Sequence, residues 1–535
     1  MSGRTHWRAC TRPPRGERTD FRRTCESEEI APFLSDAAHY PGGAASEVCF
    51  PTNEAEVAAI LAEGRPVLVA AAQSSLTGGA TPRGETVISV SCLNRAQFVG
   101  AGTDAGLRVT VGAGVVLREL CEMLDARGMY YPPVPTFDGA TVGGTVATNA
   151  AGAATFKYGT TRDWVTGLTV VLSAGDVLEL ERGQVRAHRD GFFEIERAAG
   201  GLTRVVLPEI RMPDVPKTSA GYFTAPGMDL VDLFIGSEGT LGIVTEVRLR
   251  VVGRRPDWFV AWVPVADDRG AVELAGALRR VASIGGGVDV AAVEYVDRRS
   301  LELARHAGAF ERAGFGLPAD CGAAVLLQAE LPAGTSTARA RDEIAAIDNA
   351  AADTPLLRIC RLLRERGLFE RAVPALPGES AKRASLFVLR EAVPEALNDV
   401  VRDRQRTVDA SISKAAADVI VPFSRFGESL ARYRRIADCY GLDMAVWGHI
   451  SDGNVHPNFL VADGAQMRAA RAALLELGRA AIEMGGSPMS EHGVGRNEVK
   501  KQLLLSLYGE TGVIGMKQVK NALDPHGHLA PGVLF

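Results

Sequence analysis

The chain alternates between two patterns of apolar and polar positions. Pro66-Val-Leu-Val-Ala-Ala71 is a short continuous apolar run and predicts a buried strand; Val87–Ser91 and Leu107–Val111 predict two more. Thr52 to Gly64 predicts a helix. Thr52 caps it, Glu54 and Glu56 occupy its first turn, Val57, Ile60 and Leu61 share a face, and Gly64 stops it. Leu117 to Arg127 predicts a second helix, ended by Gly128. Gly167 to Leu180 predicts a hairpin turning at Ala174-Gly-Asp176, and Ile243 to Val252 a further strand.

The rhythm changes after residue 256. Trp258–Val263, Val288–Tyr295 and Ala323–Ala329 read as strands, with helical spacing over Gly270–Ser283. Residues 335–415 are rich in Ala and Arg and mostly helical. From Ala465 onward helices surround a loop at Glu491-His492. This mixture predicts an α+β protein, and 535 residues predict two or three domains.

Composition removes several classes. With a net charge of −5, no basic surplus points to nucleic acid. No apolar run approaches the ~20 residues of a membrane span. The eight cysteines contain no Cys-x-x-Cys pair, which argues against an iron–sulfur cluster and fits a reducing compartment. Residues 1–25 carry Arg4, Arg8, Arg12, Arg15, Arg18, Arg22 and Arg23, with no acid before Glu17. Residues 1–35 are therefore expected to form a disordered or weakly ordered tail in a cytoplasmic protein, a mitochondrial presequence being the alternative.

Chemistry concentrates in Trp447-Gly-His-Ile-Ser-Asp-Gly-Asn-Val-His-Pro457 and Ser490-Glu-His-Gly-Val-Gly495, which hold three of the nine histidines: His449, His456 and His492. Imidazoles beside a carboxylate suit zinc or manganese. The spacing alone leaves open both a metal site and a set of hydrogen-bonded loop histidines. His449 and His456 are an odd number of residues apart, so a turn or bulge through Ser451–Asn454 must re-aim them if they share a hairpin.

A second set of segments is built for close backbone approach. Gln73-Ser-Ser-Leu-Thr-Gly-Gly79, the nearly uncharged stretch 139–163 and Ser237-Glu-Gly-Thr-Leu-Gly242 present N–H and hydroxyl donors with little side-chain bulk, as a pyrophosphate-containing cofactor needs. Gly112-Ala-Gly114 imitates a dinucleotide fingerprint, but Leu117 replaces the third glycine and no ribose-binding acid follows, so an NAD site is rejected there.

Taken together, Gln73–Gly78, Ala140–Gly144 with Asn149–Gly152 and Lys157–Gly159, Ile235–Gly242, Gly448–His456 and Glu491–Gly495 resemble the FAD-linked oxidases of the vanillyl-alcohol-oxidase type. The glycolate oxidase D-subunit, D-lactate dehydrogenase and D-2-hydroxyglutarate dehydrogenase branch is the nearest match. The resemblance implies a two-part FAD-binding domain over 36–255, a substrate domain with antiparallel sheet and flanking helices over 256–485, and a C-terminal segment over 486–535 that returns to the flavin. It implies that Gln73, Ser74, Ser75, Leu76, Thr77, Gly78, Gly79, Pro135, Thr141, Gly143, Gly144, Asn149, Gly152, Tyr158, Gly159, Glu238, Gly242, Ile243 and Val244 contact non-covalent FAD, since no histidine matches the covalent attachment positions of some relatives.

It further implies His449, His456 and Glu491 as ligands of a divalent metal, zinc or manganese, and His492 as the base. Arg390 and Lys414 are implied as partners of the substrate carboxylate, and Asn454 or Asn458 as a group that orients the substrate. Two positions depart from the pattern: Ser490 stands where glycine is common, and Ala530 where Asn is common.

The activity this implies is oxidation of a small D-2-hydroxy acid, D-lactate to pyruvate first, by metal-assisted deprotonation and hydride transfer to flavin N5. D-2-hydroxyglutarate and glycolate are the alternative substrates. An alkylglycerone-phosphate synthase-like transferase is the rival class. The electron acceptor is left open among cytochrome, quinone and flavoprotein, and a homodimer is the expected assembly.

Overall fold

The computed structural model describes residues 7–17, 20–99, 106–253, 256–283, 288–348 and 353–535. Arg4 and Arg18 lie outside these.

The first part of the chain builds two sheets. A four-stranded sheet takes the order Arg22–Thr24, Val48–Phe50, Thr86–Ser89, Val67–Ala70, the last three parallel to one another. An eight-stranded sheet takes the order Leu202–Val206, Phe192–Glu196, Arg8–Arg12, Val177–Glu181, Val165–Val171, Ile243–Arg250, Arg108–Gly112, Ala96–Val99. The hairpin predicted at Ala174–Asp176 is there, with Val177 opposite Val171.

Two expectations are corrected. The N-terminal segment is not a tail: Arg8–Arg12 lies between two strands of the large sheet, parallel to 192–196 and antiparallel to 177–181. Ala9 and Thr11 point inward, and the arginines are held from outside, Arg8 by Glu194 and Glu196 and Arg12 by Glu54 and Glu179. The cap of the first long helix, Glu54–Leu61, is Asn53, whose side chain accepts the Glu56 N–H, while Thr52 donates to the Glu56 carboxylate. Gly64, at φ +68°, ends that helix as predicted.

The second part is an antiparallel sheet in the order Val373–Ala375, Asp257–Val265, Ala323–Leu331, Asp289–Asp297, Met444–Gly448, Asn454–Phe459, Ala415–Ala416, with Val419–Ile420 also pairing with 454–455. Helices Asp268–Ser283, Arg298–His306, Pro355–Glu365, Ser380–Thr407, Phe426–Cys439 and Gly464–Glu483 cover it. The central strands are buried along almost their whole length, as expected where helices cover a sheet.

The chain then returns to the first part. Helix Glu498–Leu523 starts beside the Glu491 loop, and Val67 donates to the His528 carbonyl while Ala530 donates back to Val67. Ala530 holds φ +42°, a left-handed conformation that Asn adopts more readily than Ala.

Candidate active site

The hairpin 444–459 and the loop 488–497 meet at the end of the second sheet. His449 is the first residue of the hairpin turn, closed by Asp452 N–H to its carbonyl, and His456 stands opposite Trp447 on the returning strand. The turn thus re-aims His449 toward His456, their rings edge-to-face with centroids 5.6 Å apart. Glu491 Oε1 lies 3.4 Å from His449 Nε2, 3.3 Å from His456 Nε2 and 3.7 Å from His492 Nε2.

Each imidazole has a carboxylate behind its other nitrogen. Glu294 bonds His449 Nδ1, and Asp418 lies 3.5 Å from His456 Nδ1 and 3.6 Å from His492 Nδ1. Carboxylates behind histidines whose Nε2 atoms converge are the usual second layer of a metal centre. Among the described residues, Asp418, His456, Glu491 and His492 form a set able to share an ion, one ligand atom of each lying within 4.8 Å of the others. His449 reaches that set through Glu491.

Charge fits a cation as well. Among the described residues, the cations in direct contact with Glu294, Asp418, Asp452 and Glu491 are Lys217 and Arg390, and Lys500 is attracted from farther off by Asp418 and then Glu238. With neutral histidines the four acids outnumber these cations, and the excess of negative charge suits a bound cation. Without an ion a proton takes part of that role. Burial disfavours a charged His449, but Glu294 and Glu491 outweigh it and bring the imidazole to about 9. His492 behaves oppositely: burial takes it down to about 4 against the opposing pull of Asp418, so it is unprotonated near neutrality.

A cavity of about 1390 Å³ runs from the glycine-rich loops to this centre. Pockets for drug-sized ligands span roughly 300–1,000 Å³, so there is room for a dinucleotide and a small acid. Arg390 enters it from helix Ser380–Thr407, with Nε bonded to Glu294 at 2.7 Å. Lys414 enters from the segment before strand 415–416. Burial lowers its ammonium to about 8, and among the described residues no carboxylate pairs with it.

Two family profiles match the chain: "FAD binding domain" over residues 45–181 and "FAD linked oxidases, C-terminal domain" over 272–534. D-2-hydroxyglutarate dehydrogenase of Xanthomonas citri pv. viticola is 30% identical over 503 residues, covering 91% of this chain and 89% of the relative. The protein belongs to the FAD-linked oxidases. Glycolate oxidase subunit GlcD of Bacillus subtilis is 29% identical over 91% of this chain and 88% of its own length, and D-lactate dehydrogenase of Archaeoglobus fulgidus 28% over 90% and 89%. A solved alkyldihydroxyacetonephosphate synthase superposes with a TM-score of 0.56 over 91% of this chain and 76% of that one, at 14% identity, and shares the fold. This FAD-linked oxidase is an FAD-dependent oxidoreductase of the D-lactate, glycolate and D-2-hydroxyglutarate dehydrogenase kind.

Most of the residues expected at the cofactor line the cavity: Gln73, Ser74, Ser75, Leu76, Gly79, Pro135, Thr141, Gly143, Gly144, Glu238, Gly242, Ile243 and Val244. A Cβ on Gly143 would stand 2.6 Å from that of Ala113, so only glycine allows this close packing. The other six lie behind the wall. Thr77 accepts from Arg496 N–H, Gly78 packs against the Tyr40 ring, Asn149 ends helix Val142–Thr148, and Gly152 donates to Thr155. Tyr158 donates to Glu330, and Gly159 turns beside Asp163.

His492, Arg390, Lys414, His456 and Glu491 all face the cavity, and His449 stands behind Glu491. Asn458 also faces it, with a buried Oδ1 that lacks a protein partner; Asn454 has an unpartnered Oδ1 as well, but it lies outside the cavity wall with its Nδ2 bonded to Asp418, Val419 and Ser490. Ser490 bonds Asp418 and so joins the network.

Three participants escape sequence reasoning: Lys217, Glu294 and Asp418. Lys217 lies in an irregular loop with no periodicity, and Glu294 reads as one polar position in a strand. Asp418 offered a signal, an acid opening an apolar Val-Ile-Val run at a strand that must be buried.

Proposed function

We propose that this oxidoreductase dehydrogenates a small D-2-hydroxy acid, D-lactate to pyruvate first. The observation carrying this reading is the single cavity that joins the glycine-rich cofactor loops to the His456–Glu491–His492 centre, with Arg390 and Lys414 in its wall. When bound, FAD would supply a hydride acceptor at N5, and a divalent ion held by His456 and Glu491, with His449 on the far side of Glu491 Oε1, would supply Lewis acidity at the substrate hydroxyl.

The chain's own residues do the rest. Arg390 and Lys414 attract and orient the carboxylate. Asn458 Oδ1 accepts from the substrate. His492, neutral and with Nδ1 toward Asp418, takes the hydroxyl proton at Nε2. D-2-hydroxyglutarate is the second reading, favoured by Lys414, a cation without a counter-charge among the described residues and so available to a second carboxylate.

An anaerobic visible spectrum before and after D-lactate tests this. Bleaching of the oxidised flavin band supports the reading. A band bleached only by D-2-hydroxyglutarate or glycolate moves the substrate, and a band unmoved by all three puts the rival transferase ahead.

A further inference from the structure

The loop that carries His492 has an unusual way of satisfying its backbone. Between residues 490 and 495 the N–H groups are taken by side chains from outside the loop. Asp418 Oδ2 accepts those of Ser490, Glu491 and His492 at 3.1, 2.8 and 2.9 Å. Ser219 Oγ accepts that of Gly493 at 2.9 Å. Glu238 accepts those of Val494 and Gly495, at 2.8 Å on Oε1 and 2.9 Å on Oε2. The position of the loop is therefore set by two carboxylates, one from each part of the molecule.

We propose that Glu238 is a positioning residue, whose carboxylate grips Val494 and Gly495 and thereby fixes where His492 stands. Glu238 is itself held by the cofactor loop. Its N–H donates to the Ala147 carbonyl at the end of helix Val142–Thr148, and it keeps φ +53°, a left-handed conformation rare for Glu. Gly493 is matched to it: at φ +73°, a Cβ there would stand 2.8 Å from Glu238 Oε1. The flavin seat and the candidate base are thus joined through one side chain. Burial, which raises this carboxyl to about 7, adds that nothing but the two amides and distant Lys500 compensates it.

The kinetic half of this inference rests on the proposed function; the structural half does not. The flavin-loaded full chain and its Glu238→Gln variant are compared by amide hydrogen exchange over 488–497 and by rapid-mixing flavin reduction with D-lactate. Gln has the same shape but turns an NH2 toward one backbone donor. Exchange at 493–496 is expected to quicken by about ten-fold, the scale of a lost hydrogen bond. The reduction rate, taken per bound flavin, is expected to fall by ~10- to 100-fold, as for a displaced catalytic group, with KM within about three-fold.

Unchanged exchange overturns the proposal, even if reduction slows. If wild type is reduced by none of the three acids, the proposed function fails and the exchange comparison still decides the role of Glu238. Should E238Q not fold, Glu238→Asp, which keeps the charge and withdraws it by one methylene, is read in the same way.

Discussion

Lys217 Nζ lies 3.0 Å from Glu491 Oε2, so the oxygen of Glu491 that faces away from the three imidazoles is held by a fully buried ammonium. The same Nζ is 3.2 Å from Asp452 Oδ2, itself fully buried. Glu491 is consequently held well below the usual carboxylate range: burial opposes ionisation, but Lys217 and His449 overcome it. Removing the lysine strands two buried acids. Lys217→Met is expected to destabilise the protein by about 3–5 kcal/mol, the cost of breaking a buried pair from one side. Chemical denaturation measures this, and adding Asp452→Asn should recover part of the loss. A K217M protein as stable as wild type would mean that the pair carries no weight.

Lys414 gives a pH dependence with opposite signs for binding and stability. Its folded-state pKa, about 8, lies below the usual lysine value because burial disfavours the charge. The cation that attracts the substrate carboxylate is present below pH 8 and lost above it, so KM should rise as pH climbs from 8 to 10. The burial cost follows the same charge: below pH 8 the folded state bears it, and between 8 and 10.5 the unfolded chain binds the extra proton, so this contribution to stability improves with pH. Steady-state kinetics across pH 7–10 checks the binding limb. Lys414→Met should flatten it, and a limb that persists in K414M belongs to another group.

Metal depletion separates the two cofactors. Dialysis of the flavin-loaded protein against a strong chelator should leave the yellow band, because the side chains of His456, Glu491 and His492 are held by Glu294, Asp418 and Lys217 by way of one another and not by the cofactor loops. It should abolish bleaching by D-lactate until zinc or manganese is returned. Glu294→Gln, which weakens the carboxylate behind His449, should lower metal affinity by ~10- to 100-fold with flavin content unchanged. Full-rate bleaching of metal-depleted protein would make the histidines a hydrogen-bonded network instead.

What sequence makes legible here is what is local. Glycine-rich loops and the two histidine motifs announce themselves within ten residues, and strand and helix spacing gives the α+β class. What it hides is set by partners distant along the chain. Arg8 reads as part of a charged tail because its acids, Glu194 and Glu196, are 186 and 188 residues away. Lys217 meets Glu491 across 274 residues and Glu294 meets His449 across 155, so neither stands out from neighbouring polar positions. The cap at Asn53 shows a smaller version of the same limit: Thr52 and Asn53 are both good caps, and the competing bond from Thr52 to Glu56 decides between them.

Tyr158 is where the family resemblance and the structure make different predictions. The resemblance implies that it contacts FAD. In the fold its hydroxyl donates to Glu330 on strand Ala323–Leu331, beside the Lys157–Glu330 ion pair, and its ring lies outside the cavity wall. A hydrogen bond to a buried carboxylate contributes roughly 1.5–3 kcal/mol, and both donors tie the cofactor-binding part of the chain to the second sheet. Tyr158→Phe should therefore lower stability by about that amount while flavin content and the flavin spectrum stay as in wild type. Denaturation and the ratio of flavin to protein absorbance measure both. A Y158F protein of normal stability that loses its flavin would place the hydroxyl at the cofactor and remove Glu330 as its partner.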